Sequence, residues 1–139
     1  MFTKFEEMPK IKLPYGVADP KLSDSTMRDG AQMAGVVMKK AHKLQIFEFL
    51  HEIGIEKTEV FLYNERDKIV AREMLKRGYE KPQVTGWARA NPKDIDLVLA
   101  MDGIKETGVL LSTSDIHIIH KLGLNREEAN KRYLNAVQY

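Results

Sequence analysis

The chain alternates between two hydrophobic periods. Lys21–Thr26 reads as a first strand, and Lys39–Ile53 as a helix with overlapping apolar stripes, Leu44/Phe47/Leu50 and Ile46/Leu50/Ile53. Apolar residues three and four apart share a helix face, and Gly54 supplies the stop. Lys57–Tyr63 is rich in β-branched and aromatic residues and predicts a second strand. Asn64–Asp67 then starts a helix running to Arg77, with the pairs Val70/Met74 and Ala71/Leu75 and Gly78 at its end. Pro82–Arg89 predicts the third strand. Asn91 and Pro92 follow as cap and first residue of a helix reaching about Met101, with Ile95, Val98 and Leu99 on one face. Thr107–Thr113 predicts the fourth strand. Asn125 and Glu128 form a capping box for a last helix, whose buried face is expected to hold Ala129, Tyr133, Ala136 and Val137.

Four strand–helix units with short connections imply a parallel sheet with right-handed crossovers. No Gly-x-Gly-x-x-Gly follows the first strand, so a dinucleotide-binding sheet is unsupported. The expected architecture is α/β: parallel (βα) repeats forming the first half of a TIM barrel. Residues 1–20, with Pro9, Pro14 and Pro20, read as an N-terminal arm, and residues 21–139 as the half-barrel. A whole barrel needs about 250 residues. The chain has 139, so it is expected to be incomplete or to pair with another half.

Barrel chemistry lies at the C-terminal strand ends, and polar clusters fall there. The first strand ends in Ser23–Gln32, SDSTMRDGAQ, which presents Arg28, Asp29 and Gln32 around Gly30. Asp29 suits a hard divalent cation, and Arg28 offers a planar fork to a carbonyl or carboxylate. A polar turn between strand and helix is an equal reading of this composition. The second strand carries Glu59 and ends near Tyr63 and Asn64. The third ends at Arg89 and Asn91, and the fourth at Ser112–His117. His117 and His120 lack a third ligand at a familiar spacing, which favours His117 as a substrate donor over a metal pair. His42 and His51 read as surface or packing residues, and Trp87 as a packing residue with a partner for its indole N–H.

The composition, 43% hydrophobic and 30% charged, is that of a globular domain. The net charge of +2, with both signs interspersed, argues against a nucleic-acid or membrane surface. The absence of cysteine excludes disulfides and thiolate sites. No stretch approaches the ~20 apolar residues of a membrane span. The acidic start, MFTKFEEMPK, does not read as a signal peptide, so a cytoplasmic location is expected.

Asp24-Ser25-Thr26-Met27-Arg28-Asp29-Gly30-Ala31-Gln32 resembles the first-strand signature of metal-dependent barrel enzymes that make or break 2-hydroxy acids. These are the isopropylmalate, homocitrate and citramalate synthases and hydroxymethylglutaryl-CoA lyase. Ser25, Met27 and Ala31 depart from the usual Asp-Thr-Thr-Leu-Arg-Asp-Gly-Glu-Gln. Thr113-Ser114-Asp115-Ile116-His117 is similar to the superfamily's fourth-strand Thr-Ser-x-x-His. Phe61-Leu62-Tyr63, Val84-Thr85-Gly86-Trp87, Arg89-Ala90-Asn91 and Lys105-Glu106-Thr107-Gly108 look like the Re-type citrate synthase branch.

The resemblance implies a Claisen condensation of acetyl-CoA with a 2-oxo acid, oxaloacetate being the first choice, on a divalent ion (Mn, Mg, Co or Zn). It implies Asp29 as metal ligand, Arg28 and Glu59 as catalytic residues, and Gln32, Arg89, Ser114 and His117 as substrate contacts. Homocitrate, isopropylmalate or citramalate synthesis, or lyase cleavage, are the alternatives within the class. A non-catalytic half-barrel acting as a partner or assembly module is the alternative outside it. The family draws its remaining metal ligands from a His-x-His pair and an asparagine in the second half of the barrel, which these residues lack. The chain alone is therefore expected to be inactive. With two open sheet edges and an apolar interior, it is also expected to self-associate or to bind a second half.

Overall fold

A computed structural model describes residues 20–139, so the arm expected over residues 1–20 lies outside the described residues except for Pro20. The strands are β1 (Ser23–Asp24), β2 (Lys57–Val60), β3 (Gln83–Arg89) and β4 (Thr107–Leu110). The helices are α1 (Lys40–Glu52), α2 (Glu65–Lys76), α3 (Pro92–Leu99) and α4 (Arg126–Gln138). The sheet order is β1-β2-β3-β4, and every pairing is parallel, with Ser23 opposite Lys57, Lys57 opposite Gln83 and Gly86 opposite Thr107. This is the expected N-terminal half of a TIM barrel.

Local chemistry sets the boundaries. Asn64, Asn91 and Asn125 each accept the backbone N–H three residues on, and Asn125 with Glu128 forms the expected capping box. Gly54 and Gly78 follow α1 and α2 at φ of 75° and 67°, a region open to glycine without strain. The strands are shorter than predicted. Three amides, those of Arg28, Asp29 and Gly30, converge on the Ser25 carbonyl and turn the chain out of β1. Beyond β4, Ser112 gives its N–H to the Tyr133 hydroxyl at 3.1 Å, and its carbonyl accepts that hydroxyl's proton at 2.6 Å. Both backbone polar groups of Ser112 are satisfied there, away from the ladder.

One sheet face is covered by the helices. Thr58, Val60, Leu62, Val84 and Ala88 are buried there with Phe47, Val70, Met74, Ile95 and Val98. Gly86 permits the closest approach, since a Cβ placed on it would lie 2.5 Å from the Val98 Cγ1 of α3. Phe47 stacks on Tyr79 at 5.7 Å between ring centres, and His51 stacks on Tyr79 at 3.7 Å while its Nδ1 meets the Lys81 carbonyl at 2.6 Å. His51 is thus a packing residue.

Three predicted stripe residues are exposed instead: Ile53, Leu99 and Val137. Ile53 lies past the last turn of α1, in the C-cap position. On α4, Ala129 and Ala136 are buried and Tyr133 half-buried, so the face holding Leu134 and Val137 turns outward.

The opposite, concave face is the barrel interior. Its lining differs from the apolar one expected. Ser23, Lys57, Glu59, Thr85, Trp87 and Glu106 line a hollow of about 310 Å³. Lys57 and Glu106 pair across it at 2.7 Å. Strand alternation explains this: Thr58, Val60, Val84, Gly86 and Ala88 take the helix-covered face, and Glu59, Thr85 and Trp87, which alternate with them, take the other. Among the described residues no helix is long and apolar enough to cross a membrane.

Candidate active site

The segment after β1 divides its side chains between two environments. Met27 is buried in the core, and this anchors the turn. Asp24 accepts from the Thr26 N–H at 3.1 Å and the Thr26 hydroxyl at 2.7 Å, which stiffens the approach. Gly30–Gln32 form a short 3-10 turn.

Arg28 projects over the neighbouring strand and donates from Nε to Glu59 Oε2 at 2.6 Å, and from Nη1 to Asp29 Oδ1 at 2.5 Å. Arg28 and Glu59 side chains are each only 14% exposed, whereas Asp29 is 59% exposed. Ser23 donates to the other Glu59 oxygen at 3.5 Å. The Arg28 guanidinium also lies 4.4 Å from the centre of the Trp87 ring and 5.9 Å from that of Phe61. Charged partners in its plane and an aromatic face against it fix the guanidinium, and its Nη2 donors are not committed by the two ion pairs.

One guanidinium and two carboxylates leave the cluster with an excess of negative charge. That excess, together with the exposed Asp29 carboxylate, suits a hard divalent cation. Among the described residues no three His, Cys, Asp or Glu side chains converge in a metal-holding group. Asp29 is the exposed carboxylate of the cluster.

A second arginine stands beside it. Arg89, at the end of β3, holds Asp94 of α3 with two donors, Nε at 2.5 Å and Nη2 at 3.0 Å, and lies 5.3 Å from the Tyr63 ring centre. Phe61 and Tyr63 touch at 5.2 Å. Trp87, Arg28, Phe61, Tyr63 and Arg89 thus form a connected row of three aromatic and two cationic side chains along the strand ends. Burial raises the Tyr63 phenol, and the nearby Asp94 charge adds to the rise. The Arg89 hydrogen bonds hold the Asp94 carboxyl below the ordinary carboxylate value against the opposing effect of burial.

Asp94 therefore contributes stability above about pH 3.9, the ordinary aspartate value, and loses it as pH falls through the lower folded value. Asp94→Asn is expected to lower the thermal midpoint at neutral pH, with the difference from wild type closing in acid. A difference that stays constant down to pH 2 would show that the Arg89–Asp94 charge pair carries none of it.

The remaining candidates stand apart from the cluster. Gln32 is exposed on the 3-10 turn. Ser114 Oγ accepts the His117 N–H at 3.4 Å and so opens the short π-type turn His117–Lys121. His117 is exposed there, and Asp115 clamps the loop by a two-point bond to Arg126 at 2.6 and 2.8 Å. Gln32 gives its backbone N–H to the Asp29 carbonyl at 2.9 Å, but among the described residues no side chain of Gln32, Ser114 or His117 hydrogen-bonds to the side chains of Arg28, Asp29 or Glu59.

Sequence reasoning missed Trp87 as a partner of Arg28 and Asp94 as the partner of Arg89. The signal for Trp87 was its position two residues from Thr85 and two from Arg89, on the inner face of one strand.

The chain is a parallel half-barrel with an arginine–carboxylate cluster at its strand ends. The chain belongs to the HMGL-like family, whose model matches residues 19–139. It is 42% identical to the citrate (Re)-synthase of Clostridium kluyveri over 94% of this chain and 31% of that protein. It is 38% identical to the citrate (Re)-synthase of Syntrophus aciditrophicus over 84% of this chain and 19% of that protein. A probable 2-isopropylmalate synthase of Ignicoccus hospitalis is 33% identical over 98% of this chain and 32% of its own length. The chain thus spans between about a fifth and a third of these relatives.

Proposed function

We propose that the chain forms the wall, built from β1 to β4, of a divalent-metal active site that condenses acetyl-CoA with a 2-oxo acid, oxaloacetate to citrate being the first choice. The observation that carries this reading is Arg28, fixed by Glu59 and Asp29 and backed by Trp87 at the C-terminal strand ends. A fixed donor is worth most where charge develops, because no reorganisation is needed at the moment of reaction. Here that charge develops on the carbonyl oxygen of the 2-oxo acid, once a base has taken a proton from the methyl of acetyl-CoA and the resulting carbanion attacks the carbonyl carbon.

Arg28 then stabilises the oxygen through the donors that Glu59 and Asp29 leave uncommitted. Glu59 holds Arg28 in place, and Asp29 is the metal ligand. When bound, the divalent ion supplies Lewis-acid polarisation of the carbonyl. Gln32, Arg89, Ser114 and His117 are assigned to substrate, with Arg89 kept in register by Asp94. Hydrolysis of the thioester frees the thiol of coenzyme A and completes the reaction. The likeness to a 2-isopropylmalate synthase supports the same chemistry on another 2-oxo acid as the second reading.

A single carboxylate holds a metal weakly, so the 139-residue chain by itself is expected to form no citrate. Among the described residues its sheet ends in β1 and β4 with no further strand paired, Leu22 being exposed beside one edge and Leu110, Leu111 and Ile119 at or after the other. Such edges and apolar patches favour self-association or capture of a second half-barrel. Light scattering, with an acetyl-CoA and oxaloacetate assay in added manganese, tests this. A monomer that makes citrate would overturn it.

A further inference from the structure

We infer that Trp87 is the positioning residue for Arg28, and that Gly108 is glycine in order to seat the indole there. This rests on the reading of Arg28 proposed above. Glu59 and Asp29 bind the guanidinium edge, at Nε and Nη1, and edge contacts alone leave a planar group free to tilt about the line that joins them. A face contact removes that freedom. Trp87 supplies it at 4.4 Å, much closer than Phe61 at 5.9 Å, and indole is the aromatic side chain that attracts a cation most strongly.

The indole is placed in turn by the next strand. Trp87 of β3 stands opposite Gly108 of β4. A Cβ on Gly108 would lie 2.7 Å from the ring Cε2 and 2.9 Å from Cδ2 and Cζ2. Gly108 does not have a positive φ, so its missing side chain serves this contact and not a backbone turn. An arginine on the turn after β1 is thereby aimed by a ring on β3 that lies on bare backbone of β4.

The test compares Trp87→Leu, Trp87→Phe and Gly108→Ala, first by NMR of the Arg28 side chain in the 139-residue chain. Shielding by the ring is expected to move the Arg28 Nε–H signal upfield in the wild type. The shift should vanish in Trp87→Leu, largely return in Trp87→Phe, and fall in Gly108→Ala, where the added methyl displaces the ring. In a completed barrel, Trp87→Leu and Gly108→Ala should each lower kcat about three- to thirtyfold, the range of such a contact, with KM for acetyl-CoA unchanged and Trp87→Phe close to wild type.

An Arg28 signal identical in wild type and Trp87→Leu would overturn the inference. So would full turnover in Trp87→Leu where Arg28→Ala is inactive. Full turnover in Arg28→Ala, with the NMR shifts as expected, would instead refute the catalytic reading of Arg28 and leave its placement by Trp87 standing.

Discussion

Arg28→Ala in a completed barrel is expected to lower turnover of acetyl-CoA and oxaloacetate by roughly two or more orders of magnitude, the cost of removing a preorganised donor to developing negative charge. The effect should fall on kcat, because the donor acts where charge appears and not in ground-state binding. Release of free thiol measures it directly. The same assay separates the neighbouring residue: Asp29→Asn should raise the manganese concentration needed for activity, whereas Arg28→Ala should leave that requirement in place and lower the ceiling. The cluster makes the comparison demanding, since removing Arg28 also leaves the largely buried Glu59 without its cationic partner. Arg28→Lys keeps a charge and loses the planar fork, so its low activity would assign the effect to geometry. Near-wild-type rates in Arg28→Ala would remove this residue from the chemistry.

The largest effect on stability is expected at Phe47. It is among the most deeply buried large side chains and joins α1 to the Tyr79 ring and the sheet. Truncating such a residue to alanine costs about 3–5 kcal/mol, from lost transfer energy and the cavity left behind. A domain of this kind has about 5–15 kcal/mol in total, so Phe47→Ala should lose much of its margin. Urea unfolding followed by circular dichroism measures the change. A loss below about 1 kcal/mol would mean that α1 does not pack as described.

The alternation of periods makes the four βα units readable in the sequence, because a parallel sheet and its covering helices leave different spacings of apolar residues. The strand ends were less readable. Thr107–Thr113 has strand composition throughout, yet Ser112 is taken by the Tyr133 hydroxyl, twenty-one residues away in sequence. Arg28 and Asp29 stood out as candidates from the motif around them, and Glu59 from its place on the second strand; the structure brings the three together. What held Arg28 was not, because the Trp87 contact requires three strands in a particular register. The expectation of an apolar interior failed for a simpler reason. Every second residue of β2 and β3 faces that interior, and Lys57, Glu59, Thr85 and Trp87 were on view in the sequence.

Sheet order and chain order coincide in this protein, and that has a kinetic meaning. The first residue pairs of the three successive ladders close over 34, 26 and 21 residues, from Ser23 to Lys57, Lys57 to Gln83 and Gly86 to Thr107. Closure entropy rises only slowly with loop length, and among the described strands no pairing waits for one made much later. During synthesis, each new strand emerges beside a partner that is already available. The half-barrel can therefore assemble in the direction in which the ribosome makes it, one βα unit at a time, with the edge of the newest strand as the template for the next.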